Sequence, residues 1–591
     1  MTLRHQTSPH GTLLALSTMK DEGPGVIEWV AHHLAIGFTD VLVYTNDCSD
    51  GTDLILKRLQ ALDIGVHHRD NVMPPGIKPH PSMLKHAHDE DLVRASDWVL
   101  VLDADEFLCI THPSATLDGL VTALGEVGAD AMVITWRIFG SNGVRDWSRA
   151  PVTDQFTRAA PPFWNKGWGV KTMLKFDHRY LRLGMHRPII KSQHKESDYS
   201  EKVVWVNGSG KVLEEWFKFR GWRSIRRTVG FDWAQINHYA LKSMDAYALR
   251  KFRGNANLKK DKYNADYWSL QDRNEVADLS IARHAARRAE IMAELLADPV
   301  LARLHDAAHA RAEARLATLK GTDDWRTLVA SFVEAAKVPL SEVVAKPPKA
   351  RDPAAVAAVQ TKIEARRAAL PKSERRTETP AGWGAGAASP FVAGPVDRAA
   401  DVPLQWVDNQ SIPLPVDPRL FTPAAMEAVQ SGKFDRRHAR NIGAYLTGAA
   451  RFLDLGGGIG FVGRKAMAIH PALVVTVQDD RADLIAAGQQ ILAHAPDAPA
   501  PDWIVGQLTP ERLAALLARL QPDALRLPPD ALRPEALPTE ALGPVNRLIV
   551  PLTDPAEAEA IRERAGASLA AVGLPEDPKG LDGGSLLFRR G

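Results

Sequence analysis

The N-terminal part of the chain alternates short apolar runs with amphipathic segments, from residue 11 to about residue 272. Runs such as GTLLALSTM and DVLVYTND are typical of buried strands, whereas PGVIEWVAHHLAIG between them places its apolar residues near helical spacing. Two more strands, IGVHHRD and DWVLVLDADEF, follow after further helical segments. Strands that alternate with helices predict a parallel, doubly wound α/β sheet.

The pattern changes three times beyond this region. Residues 273–345 are dominated by Ala, Leu, Arg and Glu at helical spacing, which predicts a helical segment that packs on a neighbouring domain or forms a homo-oligomer. Residues 346–395 are rich in Pro, Ala, Lys and Gly and predict a flexible linker. A second α/β pattern occupies residues 396–591, so we predict an N-terminal domain over 1–272 and an independent C-terminal one.

Composition excludes several classes of partner. The 73 basic and 71 acidic side chains leave a formal net charge of only +2, which gives no reason to expect a nucleic acid or an anionic membrane. The sequence has only two cysteines, Cys48 and Cys109, which indicates a reducing compartment rather than a disulfide framework. No signal peptide and no apolar run of about 18 residues is present. The sequence therefore predicts a cytoplasmic protein without an integral membrane segment.

Polar side chains occur where the predicted strands end, and parallel sheets bind ligands at that edge. Asp103 and Asp105 lie two residues apart after an apolar run, and side chains at i and i+2 of a strand share a face. We therefore expect both carboxylates to converge on one divalent cation, which would neutralise a departing nucleotide diphosphate. The alternative is that the two residues only cap the end of a strand.

The same segments carry a family resemblance. LSTMKDEGPGVIEWVAHHLAIGFTDVLVYTNDCSDGT and DWVLVLDADEF resemble the GT-A glycosyltransferases of family 2, particularly a bacterial branch similar to family 92. Later segments fit that branch: WRIFGSNG, KGWGVKTMLK, GMHRPIIK and QINHYALKSMDAYALRKFRG. The resemblance implies a GT-A fold with a doubly wound mixed sheet. It also implies a hexosyltransferase-type enzyme that moves a sugar, with inversion, from a UDP-linked donor to a saccharide or lipid-linked acceptor in polysaccharide biosynthesis.

The resemblance also implies roles for individual residues. Asp103 and Asp105 would hold Mn²⁺ or Mg²⁺, with His238 as a third ligand or as an ordinary structural histidine. Glu106 would lie beside the sugar or the ligands, above a packed Phe107. The nucleotide-sugar pocket would be formed by Glu22, Asn46, Asp47, Asp50, Lys171, His186 and Lys242. For Asp50, a purely structural role in the turn before a helix is an equal alternative.

Two further assignments stay open in the sequence. Inverting transfer needs a base within reach of the acceptor hydroxyl, and Asp146 is our candidate, although Asp154 lies in a similar loop. The aromatic residues of PPFWNKGWG (161–169) form either an acceptor platform or a packed loop, and we favour the loop.

The C-terminal domain contains AARFLDLGGGIGFVGRKAMAIHPALVVTVQDDR (449–481), which predicts a strand, a glycine loop, a helix and a strand. This segment resembles motif one of class I S-adenosylmethionine-dependent methyltransferases, and residues 411–446 are similar to FkbM-like members. The resemblance implies a Rossmann-like domain in which Asp454, Gly456 and Gly458 contact the methionine part of S-adenosylmethionine.

The C-terminal domain also departs from the methyltransferase pattern. The second strand ends in Gln478 where an acidic residue is expected, with Asp479 one position later, and the Pro-rich stretch 522–542 replaces a later motif. We therefore predict a degenerate domain that serves binding or dimerisation. An active sugar methyltransferase and a non-catalytic carbohydrate-binding scaffold remain as alternatives for the protein.

Overall fold

The computed structural model of the protein describes residues 3–74, 76–194, 197–253, 263–343, 389–393, 395–398, 402–495, 498–532, 539–552, 557–577 and 585–590. The chain divides into two compact units. The N-terminal unit comprises residues 1–338 with 342–377, and the C-terminal unit comprises residues 339–341 with 378–591. The predicted linker lies largely outside the described residues. None of the helices described has both the length and the apolar character needed to span a lipid bilayer.

A nine-stranded sheet forms the centre of the N-terminal unit. Its strands are β1 (Leu13–Met19), β2 (Asp40–Thr45), β3 (Val66–Asp70), β4 (Trp98–Leu102), β5 (Glu106–Ile110), β6 (Ala131–Ile138), β8 (Val170–Leu174), β11 (Trp205–Asn207) and β12 (Ala234–His238). The order is β3-β2-β1-β4-β8-β6-β12-β5, with β11 beside β6. The first four strands are parallel, whereas β8 runs antiparallel to both of its neighbours. The mixed α/β architecture that the sequence predicts is therefore present.

Four shorter strands form two separate pairs in the same unit: β7 (Arg158–Ala159) with β13 (Val276–Ala277), and β9 (Leu181–Arg182) with β10 (Ile189–Ile190). Every residue of β1 and β2 is buried, because helices cover both faces of the parallel part of the sheet. This burial explains why these strands are continuous apolar runs rather than alternating ones.

Twelve α-helices accompany this sheet in the described part of the N-terminal unit, and the first of them spans nearly the segment that the sequence predicts. They are α1 (Gly23–Ile36), α2 (Thr52–Ala61), α3 (Pro79–Asp89), α4 (Asp91–Ala95), α5 (Leu117–Glu126), α6 (Val152–Gln155), α7 (Tyr199–Lys202), α8 (Met244–Arg253), α9 (Ala265–Gln271), α10 (Ala285–Leu296), α11 (Pro299–Lys320) and α12 (Asp323–Ala335). Helix α1 ends at Gly37, whose φ of 114° is the left-handed conformation that favours glycine at this position.

Helices α10 and α11 belong to the predicted helical segment, and they pack on the N-terminal sheet's own helices. Helix α1 contacts both of them, and α11 also contacts α2. Arg58 of α2 donates two hydrogen bonds to Asp298, at 3.0 and 2.5 Å, just before α11 begins. The segment is thus an integral part of the N-terminal unit.

The C-terminal unit contains a seven-stranded sheet and a separate hairpin. The strands are β14 (Trp406–Asn409), β15 (Ile412–Pro415), β16 (Arg451–Leu455), β17 (Val474–Asp479), β18 (Asp502–Val505), β19 (Ala524–Arg526), β20 (Arg547–Pro551), β21 (Glu576–Asp577) and β22 (Ser585–Arg589). The sheet order is β18-β17-β16-β19-β20-β22-β21, and β22 is antiparallel to both of its neighbours. The other strand pairs of this sheet are parallel.

Helices flank this second sheet. They are α13 (Pro423–Gln430), α14 (Arg436–Ala439), α15 (Ile442–Tyr445), α16 (Phe461–Ile469), α17 (Ala482–Leu492), α18 (Pro510–Leu520), α19 (Glu557–Ile561) and α20 (Ala567–Ala571). Strand β16, the glycine loop, α16 and β17 follow one another as the sequence predicts for residues 449–481. The C-terminal unit is therefore an α/β layer structure as well.

Candidate functional site

The acidic motif lies on a tight turn rather than on a strand. Strand β4 ends at Leu102, and the Glu106 N–H donates to the Asp103 carbonyl oxygen at 3.0 Å, which closes a turn before β5 begins. The expectation that Asp103 and Asp105 share the face of one strand is therefore wrong. Because the backbone reverses between them, their side chains meet different partners.

Asp103 belongs to a buried ionic cluster. Its Oδ2 lies 3.5 Å from Nζ of Lys171 on β8, and the same Nζ lies 3.1 Å from Glu106 Oε2. Glu106 Oε2 also accepts the Asp103 N–H at 2.8 Å, so the second carboxylate braces the turn itself. On the other side, His80 Nε2 of α3 lies 3.7 Å from Asp103 Oδ1. Lys171 is fully buried, so it serves as an internal counter-charge.

Asp105 points to a different cation. Its Oδ2 accepts a hydrogen bond from Arg250 Nη1 of α8 at 2.5 Å and lies 3.8 Å from His238 Nε2. Arg250 also donates to the Ala240 carbonyl oxygen at 2.8 Å and to the Tyr263 hydroxyl at 2.9 Å. These bonds hold the guanidinium in a fixed position above the turn.

The electrostatic surroundings shift the pKa values of this cluster in different directions. Burial raises the pKa of Asp103, but Lys171 and His80 outweigh burial and hold it below its usual value. The pKa of Asp105 is likewise lowered because the Arg250 charge outweighs burial. Glu106 lies deepest, and burial raises its pKa to about 8 in spite of Lys171. At neutral pH both aspartates are thus ionised.

The described residues do not fit the metal ion that the resemblance implies. No group of three or more His, Cys, Asp or Glu side chains in the described part of the chain is arranged to hold a metal. Each aspartate is already paired with a protein cation, and the two pairs point to different elements. His238 Nε2 lies 3.8 Å from Asp105 Oδ2, but Asp103, Asp105 and His238 do not form a metal-binding group among the described residues.

A solvent-open cleft of about 360 Å³ lies at the ends of β2 and β3. Its lining residues are Thr45, Asn46, Asp47, Cys48, Asp53, Asp70, Asn71, Val72 and Met73. Asn71 links this cleft to the acidic turn, since its amide donates to the Pro79 carbonyl oxygen at 3.0 Å and the next residue is His80. The structure therefore places the predicted Asn46 and Asp47 in a cleft on the same carboxyl edge of the sheet as Asp103.

Asp50 and Asp21 brace the same edge of the sheet. Asp50 is buried; its Oδ2 accepts the Gly23 N–H at 2.8 Å, and its Oδ1 accepts the Thr52 N–H at 2.9 Å. These bonds fit a structural role for Asp50 in the turn before α2, which was one of the two alternatives in the sequence analysis. Asp21 Oδ1 accepts the Ser49 N–H at 2.6 Å, a contact that its left-handed φ of 53° allows. Sequence reasoning missed Asp21, although a φ above zero is more common for Asp than for most residues.

The remaining residues predicted for the pocket lie around the acidic turn. Lys242 Nζ lies 4.0 Å from Glu22 Oε2, and Lys242 itself has a φ of 61°. His186 Nδ1 hydrogen-bonds the Val170 carbonyl oxygen at 2.9 Å, and burial, together with Lys171, lowers the pKa of His186 to about 4. His80 and Arg250 are the two cluster residues that sequence reasoning missed, because a charged side chain on a helix gives no local sign of what it meets.

Asp146, the candidate base, lies in a different place. Its Oδ1 is 3.0 Å from Lys320 Nζ, which also reaches Asp245 at 2.7 Å. These residues line a second cleft, of about 510 Å³, together with Trp147. Among the described contacts, Asp146 meets Lys320 rather than the acidic turn. Asp154, the alternative, pairs with Arg288 at 2.5 Å.

In the C-terminal unit, the glycine loop is covered by side chains of the same unit. Gly456, Gly458 and Gly460 have φ values of 65°, 55° and 72°. A side chain on Gly458 would lie 2.5 Å from the ring of Phe391, and one on Gly460 would lie 2.6 Å from Trp503. The backbone conformation is thus that of the predicted loop, but aromatic side chains fill the space beside it.

Asp454 is also engaged within the C-terminal unit. It is fully buried, and its Oδ1 accepts a hydrogen bond from Arg526 Nη1 of β19 at 2.7 Å. Asp479 accepts the Gly458 N–H at 2.8 Å and the Arg481 N–H at 3.0 Å. The two acidic residues therefore hold the loop together in this structure.

Comparison with known proteins gives little to set beside this geometry. No protein-family model and no curated protein matches the chain. Among solved structures, an O-methyltransferase family protein from Burkholderia thailandensis shares 17% identity over 27% of this chain and 56% of that chain, with a TM-score of 0.21. Human N-acetylserotonin methyltransferase in complex with SAM shares 14% identity over 28% of this chain and 54% of that chain, with a TM-score of 0.19.

WbdD in complex with the kinase inhibitor LY294002 shares 17% identity over 21% of this chain and 30% of that chain, with a TM-score of 0.17. The chain thus spans little more than half of the first of these proteins and less than a third of WbdD. At such TM-scores, the likenesses define neither the family nor the activity of this protein.

Proposed function

We propose that the N-terminal unit is a glycosyltransferase that transfers a sugar from a nucleotide-sugar donor to a saccharide or lipid-linked acceptor. The sequence resemblance implies that the donor is UDP-linked. The observation that carries this proposal is the charged turn at Asp103–Glu106. It lies at the carboxyl edge of a mixed sheet, where such folds bind ligands, and an open polar cleft lies on the same edge. The sequence resemblance over residues 11–272 points to the same chemistry.

The cleft and the turn suit two parts of a nucleotide sugar. Asn46, Asp47 and Asp70 offer amide and carboxylate groups that can hydrogen-bond a base and a ribose. Arg250 and Lys242 lie beyond them, each with about a fifth of its side chain exposed. Fixed cations of this kind stabilise the negative charge that grows on a departing diphosphate.

The carboxylates position these cations and can contact the sugar. Asp105 fixes Arg250, and Asp103 with Glu106 fixes Lys171. Asp103 keeps about 29% of its side chain exposed, so a hydroxyl of the transferred sugar can reach this carboxylate, whereas its buried Oδ1 accepts no hydrogen bond within the described residues.

A nucleotide-sugar panel tests the proposal. Thermal shift should identify one donor class that raises the melting temperature, and that donor should be hydrolysed slowly in the absence of acceptor. Repeating the assay in EDTA and then with added Mn²⁺ separates a metal-assisted reaction from one that relies on protein cations. If no nucleotide sugar binds or turns over, the glycosyltransferase proposal fails. If Asp103→Asn leaves both donor binding and biological activity unchanged, the scaffold alternative gains.

A second candidate is methyl transfer by the C-terminal unit. A seven-stranded sheet with one antiparallel strand and a glycine loop after β16 is typical of class I methyltransferases, which supports this alternative. The Phe391 ring beside Gly458 and the Asp454–Arg526 pair argue for the degenerate form that the sequence predicts. Calorimetry with S-adenosylmethionine tests it, since no heat and no thermal shift would remove the methyltransferase alternative.

A further inference from the structure

Four aromatic rings form a continuous wall beside the acidic turn. Trp136 of β6 stacks on His238 at a centroid distance of 4.3 Å with an interplanar angle of 18°. Trp136 also lies 5.7 Å from His186 and 6.4 Å from Trp222, and His186 lies 5.9 Å from Trp222. We call these four residues the aromatic wall.

The wall begins at the candidate active site. His238 Nε2 lies 3.8 Å from Asp105 Oδ2. His186 is close enough to Asp103 for the negative charge of that carboxylate to raise the pKa of the ring, against the larger lowering by burial. The far end of the wall is Trp222, which leaves 45% of its surface exposed. This exposed ring is continuous with rings that reach the acidic turn, so a ligand that stacks on it would lie on the path to the candidate active site.

Trp222 is also held in place. The Val170 N–H donates to the Trp222 carbonyl oxygen at 3.1 Å, which ties the loop to β8. The guanidinium of Arg223 lies 5.2 Å from the Trp222 ring centroid, and Arg223 Nη2 donates to the carbonyl oxygens of Asn165 and Lys166 at 2.7 and 2.6 Å. An aromatic ring with a fixed backbone and a cation against it loses little conformational freedom when a ligand stacks on it.

The neighbouring tryptophans do not offer such a surface. Trp164 and Trp168 are only 4% and 2% exposed, and Trp168 Nε1 donates to the Pro162 carbonyl oxygen at 2.9 Å. They form the packed loop that the sequence analysis favoured for residues 161–169. Trp136, in contrast, has an Nε1–H that is buried and has no acceptor within the described protein.

We propose that the aromatic wall is the acceptor subsite, with Trp222 stacking on the apolar C–H face of a pyranose ring. Trp136 and His186 lie behind the Trp222 ring, at centroid distances of 6.4 and 5.9 Å, and support it against the ligand. The subsite takes a carbohydrate, because the wall combines an exposed aromatic face with polar ring nitrogens, a combination that suits a ring with apolar faces and hydroxyl edges. Its role as acceptor site rests on the proposed glycosyl transfer.

Saturation-transfer NMR on the full-length protein tests the subsite. The probes are the methyl pyranosides of glucose, galactose, mannose and N-acetylglucosamine, with UDP as a separate probe of the cleft. We expect at least one glycoside to bind the wild-type protein and Trp222→Ala to weaken that binding about tenfold or more. Trp222→Phe should retain most of it, and Leu279→Ala, which removes another exposed apolar side chain, should not change it.

The outcomes separate the subsite from the proposed function. If no glycoside binds the wild-type protein, or if Trp222→Ala with an unchanged melting temperature binds glycosides normally, the inference is wrong. If Trp222→Ala loses UDP instead, the ring stacks on a nucleobase, which also overturns it. If glycosides bind through Trp222 but no nucleotide sugar turns over, the saccharide site stands while the glycosyltransferase proposal fails.

Discussion

Each of the two sheets has an aspartate near the carboxyl end of an apolar strand, and the two aspartates differ in their exposure to solvent. Asp103 follows the apolar strand β4, and Asp454 lies within the apolar strand β16 just before the glycine loop. Both carboxylates are paired with a cation from another strand, Lys171 in the first sheet and Arg526 in the second. Asp103 remains partly exposed, whereas Asp454 is fully buried.

The difference lies in what surrounds the pair. In the N-terminal unit the elements at the edge of the sheet leave an open cleft of about 360 Å³. In the C-terminal unit Phe391, Trp503 and Pro528 occupy the space beside the glycine loop. An apolar strand followed by an acidic residue and a turn therefore identifies the edge where a site can form. Whether a ligand has room to bind at that edge depends on side chains from distant parts of the sequence, such as Phe391 beside the glycine loop.

The largest expected effect concerns the two buried cations. Lys171→Met and Arg526→Met each leave a buried carboxylate without its counter-charge, which should destabilise the unit concerned by about 3–5 kcal/mol. Urea unfolding measures this loss. Adding Asp454→Asn to Arg526→Met should restore much of the stability, whereas adding Glu106→Gln to Lys171→Met should restore less, because Asp103 stays charged. Losses below about 1 kcal/mol would contradict the assignment of these pairs as internal counter-charges.

The second prediction concerns donor turnover. Asp105→Asn releases Arg250 from its fixed position, and it should lower nucleotide-sugar hydrolysis about 100-fold or more, the scale found when one transition-state donor is lost. Asp454→Asn changes the arginine-paired aspartate of the other sheet and is the matched control, for which we expect no loss. Equal losses in both variants, with unchanged melting temperatures, would remove the functional contrast between the two units.

The third prediction uses the cysteine in the cleft. Burial raises the pKa of Cys48 to about 11, so little thiolate exists at pH 8. Alkylation by iodoacetamide should therefore be about 100-fold slower than that of a free cysteine, and it should slow further when a nucleotide sugar occupies the cleft. Peptide mass spectrometry measures both rates, with Cys109, which is fully buried, as the internal reference. Rapid labelling that a donor does not slow would place the donor outside the cleft.

The smallest effect is a difference in pH dependence. His186 has a pKa of about 4 in the folded protein, below its ordinary value, so folding favours the neutral ring. Its contribution to stability is lost as the pH falls from about 6.5 towards 4, by about 2 kcal/mol at pH 5. His186→Gln should lack this part of the acid sensitivity. In the C-terminal unit, burial raises the pKa of Asp454, so acidification acts there in the opposite direction.

Hydrogen exchange read separately in β8 and β16, at pH 5 and pH 7 and corrected for intrinsic rates, measures this difference in the full-length chain. The wild-type and His186→Gln proteins should differ in β8 at pH 5 and agree at pH 7. The same difference at both pH values would mean that the substitution acts through packing rather than through protonation.

Local pattern was sufficient to predict much of the architecture. The apolar runs of β1 to β4, the helices between them, the glycine that ends α1 and the β16–loop–α16–β17 unit all follow from short-range periodicity and turn chemistry. The polar residues at the ends of β2 and β3 were also identified from the sequence, and Asn46 and Asp47 line the cleft. These features depend on residues within a few positions of one another.

Only the tertiary structure decided how the acidic motif is used. Arg250 reaches Asp105 across 145 residues of sequence, Lys171 enters from β8, and Phe391 covers the glycine loop from a segment before the C-terminal sheet. A charge-pairing partner is selected by the packing of whole elements, which the spacing of residues along one element does not encode. The sequence by itself therefore determined the two α/β patterns and the edges where ligands can bind, and the long-range ion pairs and aromatic contacts determined which edge stays open.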